Sequence, residues 1–152
     1  MNIILRNTIT RNAKFARSSL SYIQKGQCSK RNIVHVTEVG KDNSVAMISL
    51  NDGKMNAFSF EMISSMHDAL DNCKDAGAVV ITGNEKCLSA GFDLSVMGKG
   101  PSPEAGDMLR KGCELALKIT EFPRPTIFAV GGHAMALGAI IFLVSGGFNT
   151  IS

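Results

Sequence analysis

The sequence predicts an α/β fold, and three observations carry that expectation. Short β-branched runs recur along it, stretches with an apolar residue every third or fourth position lie between them, and glycine- or proline-rich breaks separate the two. Residues 33–39 and 45–50 read as strands joined through Gly40-Lys41-Asp42-Asn43, a hairpin. Asn51-Asp52-Gly53 breaks the second strand. Ser59 can then cap a helix whose apolar positions are Met62, Met66, Ala69, Leu70 and Cys73. Asp75-Ala76-Gly77 ends it, and 78–82 is an apolar run consistent with a buried strand. Pro101-Ser102-Pro103-Glu104 combines a loop, an N-cap and a proline at the first helical position. The helix that follows is expected to keep Leu109, Cys113, Ala116 and Thr120 on one side, and Phe122-Pro123-Arg124-Pro125 to stop it.

The last stretch is open to two readings. From 126 to 148 there is no Asp, Glu, Lys or Arg, enough length to cross a bilayer, so a membrane anchor over 126–144 is one alternative. Gly131-Gly132-His133 divides the run, however, into a strand-like part over 126–130 and a helix-like part over 135–144. A buried strand, turn and helix accounts for the same residues, and no membrane partner is expected on that reading.

Composition narrows the function classes. A chain of 152 residues with 45% hydrophobic content and 19% charge has the size and balance of one domain, not of a disordered protein. The charge is uneven. Seven of sixteen Lys and Arg lie in residues 1–37, ahead of the first acidic residue, Glu38. The remaining nine face all thirteen acidic residues, leaving −4 over 38–152. That body is no partner for phosphate backbones, and with one tyrosine and no tryptophan it lacks aromatic platforms for bases, so no nucleic-acid partner is expected. Leu5, Ile9, Ala13, Ala16, Leu20 and Ile23 share one face of a helical wheel, with Arg6, Arg11, Lys14 and Arg17 off it. Such an acid-free, Arg- and Ser-containing amphipathic leader has the composition of a mitochondrial transit peptide, expected over 1–31, with the domain over 32–152. A basic arm or a membrane-surface helix is the alternative. Cys28, Cys73, Cys87 and Cys113 form no C-x-x-C pair, so neither a zinc site nor a disulfide framework is expected. Reduced core thiols suit the reducing mitochondrial matrix.

Two loops carry the candidate chemistry. The first, Cys87-Leu88-Ser89-Ala90-Gly91-Phe92-Asp93-Leu94, follows the strand at 78–82. The second, Val130-Gly131-Gly132-His133-Ala134-Met135-Ala136-Leu137-Gly138, follows the strand at 126. Each is a strand, a glycine turn and the first turn of a helix, a geometry that leaves main-chain N–H groups unpaired beyond the strand end. Two such ends brought together make an oxyanion hole.

Taken with the LNDGKMNAFSFEM stretch at 50–62, the VVITGNEKCLSAGFDL stretch at 79–94 and the FPRPTIFAVGGHAMALGA stretch at 122–139 resemble, in order and spacing, the N-terminal half of the crotonase (enoyl-CoA hydratase/isomerase) superfamily. The resemblance covers most of 33–145. It implies a crotonase-like spiral of β-β-α units, truncated at Ser152, and a coenzyme A thioester as substrate with no permanently bound cofactor. By position, the family's two oxyanion-hole donors fall on the backbone N–H groups of Phe92 and Leu137. Substrate contacts are implied for Lys54, Asn56 and Ala57, for Ser89, Ala90, Gly91, Asp93 and Leu94, and for Gly132 and His133. Lys54 and Lys86 are candidates for the cofactor's phosphates, against the plainer role of solvated surface lysines.

The departures from the family pattern bear on activity. The position of Leu137 is more usually glycine in the hydratases. Their first catalytic glutamate corresponds to Ile140, which cannot move a proton, and their second belongs to a segment after Ser152. The carboxylates near the loops by sequence are Asp93, Glu104, Asp107 and Glu114; Asp93 is expected to start a helix and Glu114 to be solvated. His133 is expected to pack in its turn. The leading expectation is thus a mitochondrial acyl-CoA protein, homo-oligomeric in a full-length form, that stabilises a thioester enolate. A non-catalytic form that binds acyl-CoA or modulates the oligomers of relatives is the alternative.

Overall fold

A computed structural model of the chain describes residues 33–40 and 44–145, so the leader expected over 1–31 lies outside the described residues. Strand β1 (Val34–Val39) pairs antiparallel with β2 (Val45–Leu50), from Val34 opposite Leu50 to Val39 opposite Val45. Strand β3 (Ala78–Thr82) runs parallel to β2, and β5 (Thr126–Ala129) parallel to β3, giving the order β1-β2-β3-β5. A second, two-stranded parallel sheet joins β4 (Cys87–Ser89) to β6 (His133–Ala134). The helices are α1 (Phe60–Asn72), α2 (Leu94–Met97), α3 (Pro103–Thr120) and α4 (Leu137–Val144).

Local chemistry sets the helix ends. The Ser59 hydroxyl accepts the Met62 N–H at 3.2 Å, and the Ser102 hydroxyl accepts the Ala105 N–H at 3.1 Å, each satisfying an amide that the first helical turn leaves free. Pro103 needs no amide partner at the start of α3. Glu121 caps that helix at its other end, just before the Phe122-Pro123 break.

The core lies between the sheet and α1 and α3. Its buried residues include Ile48, Leu50, Val79, Ile81 and Phe128 from the sheet, Met62, Met66 and Leu70 from α1, and Met108, Leu115 and Ile119 from α3, with α1 against β1 and α3 against α1. In β3 only Val79 and Ile81 are buried while their neighbours are partly exposed, so one face of the strand is covered rather than both.

Three expectations change. The packed face of α3 runs through Met108, Gly112, Leu115 and Ile119, one residue away from the face predicted; only Ala116 belongs to both, and Leu109, Cys113 and Thr120 are exposed. One residue is a rotation of about 100° on a helix, and tertiary packing, not the local pattern, chooses between two such stripes. The uncharged run over 126–144 forms β5, β6 and the eight-residue α4, and no helix among the described residues is long and apolar enough to cross a membrane. Of the thiols, Cys73 and Cys87 are buried, and burial pushes Cys73 up to about 11. Cys113 stands exposed on α3.

Candidate functional site

The first loop is built on Asn84. Its carboxamide oxygen accepts the N–H groups of Lys86 at 3.0 Å and Cys87 at 2.9 Å, while its Nδ2 donates to the Lys54 carbonyl at 3.1 Å. This amide holds the backbone of Lys54 beside that of Lys86, and both lysine side chains are exposed. Asp52 shapes the neighbouring turn by accepting the N–H groups of Lys54 at 2.7 Å, Asn56 at 3.0 Å and Ala57 at 3.2 Å. The turn delivers Asn56, wholly buried and at φ +52°, a left-handed conformation that asparagine tolerates better than most residues.

Asn56 pins this turn to β4. Its Nδ2 donates to the carbonyls of Cys87 at 3.3 Å and Leu88 at 3.2 Å, and its own carbonyl accepts the Ser89 hydroxyl at 2.6 Å. Ser89, also wholly buried, accepts the Gly91 N–H at 3.0 Å. The side chains of Asn56 and Ser89 are therefore committed to the main chain around them, and they act on the site through the shape they impose on it. Ala90 N–H donates to the Met55 carbonyl at 2.9 Å, which binds the turn along the same edge.

Past β4, the Phe58 N–H donates to Gly91 O at 2.7 Å and the Asp93 N–H to Phe58 O at 3.3 Å. This parallel bridge uses the groups on either side of Phe92 and turns Phe92's own N–H away from Phe58. Asp93 then caps α2 by accepting the Ser95 N–H at 2.8 Å, as expected of it. Leu94 opens that helix and is exposed.

The second loop comes back against the first. His133 N–H donates to Lys86 O and Met135 N–H to Ser89 O, both at 3.0 Å, so β6 lies directly on β4. Gly91, at φ +91°, leaves room for Ala136 and the Met135 carbonyl, which a methyl at that position would meet at 2.7 and 3.0 Å. Ala136 itself sits at φ +46°, a strained turn for a residue with a Cβ, and it launches α4 at Leu137. Among the described residues, no protein acceptor takes the N–H of Phe92 or of Leu137.

The structure thus brings together the two loops, Lys54 and the Asn56-Ala57 turn. His133, expected in a turn, lies in β6 with its side chain exposed. Ile140 sits in the first turn of α4 and is 49% exposed. The carboxylates nearby in sequence are engaged elsewhere. Asp107 and Glu114 flank Arg110 on α3, Glu104 lies 3.9 Å from Lys99, and Asp93 is the helix cap. A cleft of about 350 Å³ lined by residues including Lys74, Glu114, Lys118 and Phe122 lies at the far end of α3 and includes none of the loop residues. Sequence reasoning passed over Asp52 and Asn84. Both are Asx-turn residues, and the Asn-Asp-Gly and Gly-Asn pairs were the signal available for them.

The enoyl-CoA hydratase/isomerase family matches over residues 40–145. A Dictyostelium discoideum protein named "Probable enoyl-CoA hydratase, mitochondrial" is 36% identical over 104 residues, covering 64% of this chain and 36% of that protein. The carnitinyl-CoA dehydratase of Salmonella enteritidis is 31% identical over 109 residues, 69% of this chain and 40% of its own length. The solved apo structure of an enoyl-CoA isomerase of Mycobacterium tuberculosis superposes with a TM-score of 0.68 at 40% identity, over 74% of this chain and 48% of that one. The chain spans less than half the length of each of these relatives.

Proposed function

Because this chain belongs to the enoyl-CoA hydratase/isomerase family, we propose that it binds an acyl-coenzyme A thioester and polarises the thioester carbonyl with the main-chain amides of Phe92 and Leu137. The observation that carries this reading is the β4–β6 pairing. It draws two loops some forty-five residues apart into one surface, each ending in an amide with no protein acceptor among the described residues. A carbonyl held by two such donors can bear the negative charge of an enolate, and one donor contributes roughly 2.7–4 kcal/mol to transition-state stabilisation in comparable sites. Backbone donors place no demand on side-chain chemistry, so Phe and Leu are compatible with the role. Lys54 and Lys86, held together through Asn84, supply positive charge for the phosphates of coenzyme A on an otherwise acidic body. On this reading residues 1–31 direct the protein to the mitochondrial matrix, where it serves fatty acid metabolism.

A second reading has specific support. Ile140 carries no proton, and α4 exposes Ile140, Leu143 and Val144 together. These favour a form that binds the thioester without turning it over, or that joins the oligomers of full-length relatives.

Calorimetry with crotonyl-CoA, followed by the loss of its conjugated absorbance, tests both readings. The purified chain is expected to bind the thioester and to hydrate it no faster than buffer does, because Ile140 removes the general acid/base that hydration requires. Robust hydration abolished by replacing Asp93, Glu104, Asp107 or Glu114 would contradict this. Failure to bind any acyl-CoA would overturn the thioester reading altogether.

A further inference from the structure

We propose that Gly112, in the middle of α3, is a positioning residue that sets the separation of the Phe92 and Leu137 amides; the inference rests on the reading of those amides as the thioester's donors. Phe92 and Leu137 come from different loops, yet both side chains seat against one point of the same helix. A methyl at Gly112 would stand 2.6 and 2.8 Å from Cε1 and Cζ of the Phe92 ring and 2.9 Å from Cδ2 of Leu137. Those are distances that real Cβ atoms do not adopt, so the two side chains occupy the space a residue other than glycine would fill. Leu137 is only 2% exposed, and α3 packs against both α2 and α4, the helices that follow the two loops.

Glycine at this point is not what the helix itself favours. In a helix interior it is about 1 kcal/mol less favourable than alanine, and Gly112 lies on the buried side of an eighteen-residue helix beside Met108, Leu115 and Ile119. Gly106 on the same helix has open space where a Cβ would go, so the crowding belongs to Gly112 and not to the helix at large. Nor is it a void left in the core, since the ring and the leucine fill it. What the absent side chain does is let residues 92 and 137 approach α3 together. The contacting atoms are the outer ends of the two side chains, and Leu137, only 2% exposed, has no open space to turn into, so the displacement passes to the residue that carries the amide. Donors act over a window of roughly 2.7–3.1 Å, and a shift of a few tenths of an ångström in one of them weakens the pair.

The test uses the full chain and 4-(dimethylamino)cinnamoyl-CoA, a push–pull thioester whose absorption moves to longer wavelength when its carbonyl oxygen is hydrogen-bonded. The unaltered chain is expected to red-shift it. Gly112→Ala is expected to lose most of that shift while binding coenzyme A, which has no acyl carbonyl, within about twofold of the unaltered chain. Gly106→Ala is expected to keep the whole shift. Adding Phe92→Leu to Gly112→Ala relieves the ring contact, keeps the amide and is expected to recover part of the shift; this double variant decides the matter if Gly112→Ala alone does not fold. A full red shift in folded Gly112→Ala, or no recovery in the double variant, would overturn the positioning role while leaving the thioester reading intact. No shift with the unaltered chain would overturn that reading, and the proposal with it.

Discussion

Gly132→Ala is expected to disrupt the site and Gly131→Ala to leave it nearly unchanged, although the two glycines are neighbours. A methyl at Gly132 would lie 2.2 Å from the Lys86 carbonyl oxygen, 2.3 Å from its carbon and 2.8 Å from the Cys87 nitrogen. All three are main-chain atoms where the chain enters β4, so no side-chain rotation relieves the overlap. The chain must instead separate β6 from β4 and lose the His133 to Lys86 hydrogen bond. At Gly131 the nearest atom is 3.9 Å away, an ordinary contact. Overpacking in ordered regions costs about 1–3 kcal/mol and sometimes more, and the upper end of that range is expected here because backbone must move. Thermal unfolding of the two variants, with acyl-CoA binding measured on each, checks the contrast. Equal melting temperatures and equal binding would show that the β4–β6 contact is looser than described.

Asn56→Ala is expected to destabilise the chain by about 1–3 kcal/mol, since it takes the side-chain donor from the buried Leu88 carbonyl and leaves the Cys87 carbonyl with only the Asn84 N–H. Alanine at φ +52° adds backbone strain that asparagine bears more easily. The loss is expected as a lower denaturant midpoint at an unchanged slope, together with loss of acyl-CoA binding, because the same side chain fixes the turn that meets β4. Asn72→Ala serves as the comparison. Asn72 is exposed and donates only to Asp68 O within its own helix, so the expected change is within about 0.5 kcal/mol. A similarly small effect at Asn56 would mean that the turn holds without it.

What the sequence revealed and what it concealed divide along the range of the interactions. Ser59, Ser102 and Pro103 mark their helix starts because a cap involves residues three apart, and the hairpin partners are consecutive in the chain. The face of α3 reads one residue off, because Gly112 interrupts the more apolar stripe of Met108, Leu115 and Ile119. The choice falls to Gly112, where two distant side chains need room. Strand β6 is two residues long and has no periodicity of its own; it exists through its pairing with β4. The loops were visible as glycine-punctuated segments, and the family resemblance named Phe92 and Leu137. The turn that pins the first loop depends on Asp52, Asn56 and Asn84, whose bonds reach up to thirty-three residues along the chain and leave no local pattern.

The central claim is that two main-chain amides hold one thioester oxygen, and nuclear magnetic resonance of chain labelled with ¹⁵N at phenylalanine and leucine tests it most directly. Addition of an acyl-CoA is expected to move the amide protons of Phe92 and Leu137 downfield together, whereas coenzyme A alone, lacking the carbonyl, is expected to leave both in place. Signals of these two residues that stay fixed under a saturating thioester, or that respond equally to coenzyme A alone, would contradict it.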